Sequence, residues 1–115
     1  MYYKDKVHEE QVKCLLNKLK LEKISQDIKY GTFAYIVGAT YKAKYIMKII
    51  DEDNNIDLDM LYDEIDVYST SEQHMIRFAL QCFNYSIDDI QLGETMRSLD
   101  ALNTKVIKQA IDIRY

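Results

Sequence analysis

Proline is missing from this chain, and its 115 residues include only three glycines. An all-β domain needs such residues at most of its turns, so their scarcity makes helix the expected main element. Cysteine is sparse too: Cys14 and Cys82, with no CxxC pair, make no disulfide framework. No apolar run approaches the roughly 20 residues that cross a bilayer. The N-terminus, MYYKDKVHEEQ, lacks the apolar core of a secretory signal. The expectation is a cytoplasmic protein, off the membrane, with both thiols reduced.

Several chemistries are missing as well. No GxGxxG, GxxxxGKS or GxSxG occurs, so the common nucleotide loops and the nucleophile elbow are excluded. The segment starting at His8 begins like HExxH, but Val12 stands where the second histidine belongs, and the chain has only one other, His74. Cys82, close in sequence to Phe78 and Phe83, reads as a buried structural cysteine. No catalytic residue, metal ligand or cofactor is expected.

What is present is helical periodicity. Val12, Leu15, Leu16 and Leu19 recur at i, i+3, i+4 and i+7, which predicts an amphipathic helix from about Asp5 to Lys20. Ser25 is the expected N-cap of a second helix carrying Tyr30, Phe33, Ala34 and Val37, with Gly38 as its left-handed stop. Thr40 would cap a third, facing inward through Ala43, Ile46, Met47 and Ile50. Thr70 and Gln73 suggest a capping box for STSEQHMIRFALQCFN, whose sparse polar face marks it as the central helix. Asp100 caps a last helix with Leu102, Val106, Ala110 and Ile113 in one stripe. Between these two, one short helix or turn is expected. The fold class is thus mainly α: residues 1–115 as one compact bundle of about five helices. The Ile-Asp segments of NNIDLDMLYDEID and NYSIDDIQLGETMRSLD are candidates to pair as a minimal two-stranded ribbon.

Charge is distributed unevenly. Residues 1–50 hold ten lysines and five acids, while residues 51–115 hold five basic residues and fourteen acids. Eight acids fall within residues 51–66, with no Lys or Arg among them. Part of this block, DNNIDLDMLYDE, fits a calcium loop with ligands at Asp53, Asn55, Asp57 and Glu64, except that Leu58 replaces the glycine of the sharp turn. The exit helix such a loop requires is also missing, because IDVYSTS is β-branched and turn-like. A better reading makes Asp57 the N-cap of a short helix with Leu58, Leu61 and Ile65 on one face. That leaves Asp57, Asp59, Asp63, Glu64 and Asp66 as a candidate partner-binding surface. Tyr41, Lys44, Tyr45 and Lys48, at i, i+3, i+4 and i+7, form an alternative surface suited to phosphates and bases, or simply a solvated face.

The segments MYYKDKVHEEQ, YGTFAYIVGA, FALQCFN, SLD and AIDIRY resemble a family of small proteins encoded by phages and integrative elements of low-GC Gram-positive bacteria. That resemblance covers most of the chain but rests on core and boundary positions, so it implies a fold and a bacterial setting and carries no site residues. It also implies a candidate role, since some small proteins of such elements are anti-CRISPR inhibitors. The expected function is an interaction protein that inhibits or redirects a host effector, with an acidic surface set against a basic partner such as a Cas9-type nuclease or its guide-RNA complex. The alternative is a small nucleic-acid-binding regulator, against which the sequence pI of about 5.1 weighs.

Overall fold

Asp5 opens the first helix by accepting the His8 N–H at 2.7 Å, and α1 (Lys6–Lys18) buries Val12, Leu15 and Leu16. Its exit is a Schellman turn. Leu21 N–H bonds the Leu16 carbonyl and Lys20 N–H that of Asn17, with Lys20 at φ 63 where glycine is usual. The computed structural model describes residues 1–115, and its chain continues through a 3-10 turn at Ile24–Gln26 into α2 (Ile28–Ala39).

The start and stop of α2 differ from expectation. Asp27, not Ser25, accepts a free N–H of the first turn, that of Tyr30; Ser25 lies inside the 3-10 turn, which buries Ile24. Gly38 is an interior residue with ordinary φ, and the left-handed conformation falls on Tyr41, at φ 62. What the glycines supply is proximity. A Cβ on Gly38 would lie 2.6 Å from Val12 Cγ2, and one on Gly31 would collide with the Ile24 carbonyl. Residues 31–39 are buried without a break, and α1, the 3-10 turn, α5 (Thr70–Phe83) and α7 (Ala101–Arg114) all pack against α2. The centre of the bundle is therefore α2, because its small residues let neighbours approach from every side, whereas α5 keeps a polar edge.

Thr40 does not cap the next helix. Its hydroxyl bonds back to the Val37 carbonyl at 2.6 Å, and the Gln11 side chain caps Ala43 N–H, the first of α3 (Ala43–Met47). Ile46 and Ile50 are buried as the stripe required. After a turn at residues 51–55, Ile56 makes an antiparallel bridge with Ile50. The Ile-Asp ribbon does not form; a five-residue turn brings Ile50 to Ile56 with far less chain to close than a pairing across α5 would need. Asp57 caps α4 (Leu58–Ile65) through Met60 N–H at 3.1 Å, with Leu61 and Ile65 buried.

The capping box of α5 is one residue earlier than the sequence suggested: Ser69 and Glu72 exchange bonds, while Gln73 donates to the Asp66 and Tyr68 carbonyls. Phe78 is buried, but Phe83 is only half-buried and sits tilted against Tyr30 at 4.8 Å between centroids. α6 (Leu92–Arg97) fills the expected short-helix position. In α7, capped by Asp100, Val106 and Ala110 are buried but Leu102, in the first turn, is 48 % exposed. The molecule is mainly α, with seven α-helices and no strand, within 35 × 31 × 24 Å. No helix is long and apolar enough to cross a membrane.

Candidate functional site

The turn that links α3 to α4 is held by one carboxylate. Asp51 accepts the N–H groups of Asp53 and Asn55 at 2.8 and 2.9 Å, and these bonds hold its pKa below the usual carboxylate range. Three ties fix the turn to the rest of the molecule. Lys20 Nζ donates to the Glu52 carbonyl, Asn54 Nδ2 to that of Leu19, and the Tyr30 hydroxyl to that of Asn54. With the bridge at Ile50, this sets α4 beside α3.

That placement joins the two surfaces which the sequence presented as alternatives. A cavity of about 390 Å³ is lined by Tyr45 and Lys48 from the basic face and Asp63 and Glu64 from the acidic one, over Ile49 and Met60. A neighbouring cavity of about 380 Å³ shares Lys48, Ile49 and Met60 and adds Asp51, Ile56 and Asp57. Asp59 and Asp63 are exposed on α4 and Asp66 at its C-cap, and Glu64, half-buried, accepts the Tyr68 hydroxyl at 2.6 Å. Burial and this carboxylate raise the Tyr68 pKa, so it stays a neutral donor. Lys42 lies over the Tyr68 ring at 4.9 Å.

The rest of the Tyr/Lys set is dispersed. The Tyr41 hydroxyl donates to Asp5, and Lys4 Nζ lies 4.4 Å from its ring centroid, so this tyrosine closes the α1 entry. Lys44 is exposed and lines neither cavity. Of the calcium pattern, Asp57 is engaged in capping and Glu64 with Tyr68. Nowhere do three or more His, Cys, Asp or Glu residues gather in a metal-holding group.

Three clusters had no sequence signal. Asp66 lines a cavity of about 750 Å³ whose wall is the buried Asp88, gripped by Arg77 Nε at 3.0 and 3.1 Å and by the Tyr62 hydroxyl at 2.6 Å. These bonds outweigh burial and hold the Asp88 carboxyl below its usual range. A lone Arg and a lone Asp eleven positions apart form no motif.

His8 is the second: fully buried, it receives Lys4 N–H on Nδ1 and therefore donates from Nε2 to the Tyr35 carbonyl, at 3.2 and 2.9 Å. The third resembles a hydrolase grouping, with His74 Nδ1 3.0 Å from Ser98 Oγ and Nε2 4.0 Å from Glu94. Ser98, however, donates its proton to the Thr95 carbonyl, so His74 is the donor to Ser98, the reverse of nucleophile activation. Cys82 is buried, its thiol pushed up to about 12 by desolvation.

The acidic block has no internal answer. The only ion pairs within 4.0 Å are Lys13–Glu9, His74–Glu94, Arg77–Asp88 and Arg77–Asp89, and none involves residues 51–66. Comparison with protein-family models, curated proteins and solved structures returns no match.

Proposed function

We propose that this protein acts by binding and not by catalysis: an interaction protein of a mobile element, which sets its acidic face against a basic surface of a host effector and so inhibits or redirects it. The observation that carries this reading is the set of eight carboxylates in residues 51–66 that no cation of the chain pairs. Like charges at this density repel and lower stability. Such an arrangement is useful when the compensating charge arrives from outside, and the positive channel of a Cas9-type nuclease has that character. The nucleic-acid alternative is weakened because Tyr45 and Lys48 share their cavity with Asp63 and Glu64, which would repel phosphate.

The test compares two charge-reversed variants. Asp59→Lys, Asp63→Lys and Glu64→Lys together should reduce association with the effector at least tenfold, and the wild-type association rate should fall as salt rises. Helical content should stay unchanged, since the exposed charges of Asp59 and Asp63 contribute little to the fold and Glu64 gives up only its bond from the Tyr68 hydroxyl. Lys44→Glu with Lys48→Glu should not weaken effector binding. Loss of direct RNA or DNA binding in the lysine variant, with full effector binding in the acidic one, would reverse the assignment.

A further inference from the structure

The two cavities between α3 and α4 share three lining residues, Lys48, Ile49 and Met60, and so run together as one furrow. Its floor is apolar: Ile49 is buried, Ile56 half-buried, and Met60 stays 52 % exposed although flanked by carboxylates on both sides. One end carries Asp51 and Asp57, the other Asp63 and Glu64. Along α4, Asp57 to Glu64 spans about 10 Å at 1.5 Å per residue, the length of about two helical turns.

We propose that this furrow receives an amphipathic basic segment of the protein partner, its apolar residues on Ile49 and Met60 and its lysines or arginines toward the carboxylates at each end. This rests on the acidic-surface reading and specifies its contact. Charge complementarity selects the occupant: four carboxylates against one unpaired lysine exclude a phosphate backbone, and an apolar floor has no use for a hydrated cation. Met60 suits the role because an unbranched thioether adapts to varied apolar partners, and an exposed apolar residue with an acidic rim matches the helix-in-groove mode of recognition. Lys48, the one cation in the furrow, opposes such a segment.

The probe is a fluorescein-labelled synthetic peptide of alternating Leu and Lys blocks that forms an amphipathic helix, titrated at 0.15 M salt beside an oligolysine of equal charge. The amphipathic peptide should bind saturably at one site and shift the amide resonances of Ile49 and Met60. Met60→Ser should weaken it at least fivefold without altering oligolysine binding, and Lys48→Glu should tighten both. Unchanged circular dichroism would confirm that Met60→Ser is folded. If Met60→Ser has no effect while Asp63→Lys with Glu64→Lys weakens both peptides, the furrow is wrong and the acidic surface stands. If neither substitution matters, both readings fall. Self-association of the wild type that Met60→Ser abolishes would make the occupant a second copy and overturn the assignment to a partner.

Discussion

His8 shows how much a single buried side chain can organise. Its two ring nitrogens join the backbone of residue 4 to the middle of α2, with Tyr3 and Tyr35 packed around it at 5.2 and 4.9 Å between centroids. Burial drives its pKa below the ordinary 6.5, because the charged imidazolium would lose water and place a proton against Lys4 N–H. Above about pH 6.5 the ring is neutral in both folded and unfolded chains, and the contacts contribute in full. As pH falls below that value the unfolded chain takes up a proton which the folded one refuses. Stability then declines, by at most about 1.4 kcal/mol per pH unit, until the folded pKa is reached. Urea unfolding at pH 7.5 and 5.5 should show a larger loss for the wild type than for His8→Gln; equal losses would mean that another group controls the acid limb. None of this was legible in the sequence, where His8 stood out only as half of an incomplete zinc motif, because Tyr35 is remote along the chain.

Among the elements, α2 and α1 meet at a close approach that only a glycine permits. Gly38→Ala would put its methyl against both the side chain and the backbone nitrogen of Val12, the latter at 3.0 Å. Overpacking of this kind costs about 1 to 3 kcal/mol, and a chemical melt should report a loss in that range. A neutral result would show that α1 can slide away. A glycine at position 38 suits a helix stop as well as a close contact, because left-handed turning and close packing both select glycine, and a sequence does not say which. Caps were easier to read. Asp57 and Asp100 precede their apolar stripes by one and two residues and do cap their helices. Ser69-Thr70-Ser71 offered three adjacent hydroxyls, among which only the Ser69–Glu72 exchange decides. The furrow is legible in halves: Tyr45 with Lys48 follows from helical spacing, and Asp63 with Glu64 from the density of acids in residues 51–66. Their union follows from a turn whose ties run back to Leu19 and Tyr30, and spacing within a helix carries no trace of such contacts.

At the scale of the whole molecule, the basic first half and the acidic second half are interleaved. The residues that fasten the acidic turn, Lys20 and Tyr30, come from the lysine-rich half, and they hold main-chain atoms, so the carboxylates of α4 take no part in these ties. This separates fastening from charge. Reversing the acids should therefore leave the turn in place, while Tyr30→Phe should release it without changing net charge. Hydrogen exchange of Asp53 and Asn55 amides should quicken in Tyr30→Phe and stay slow in Asp63→Lys with Glu64→Lys; equal protection in both would mean that the Asp51 bonds alone suffice.

The same anchoring has a consequence for how fast a partner can be captured. A surface whose backbone is already set loses little conformational freedom on contact, so encounters need not wait for a rearrangement. Capture by the wild type should then rise in proportion to partner concentration without levelling off, whereas a slackened turn would introduce a ceiling set by its own reordering.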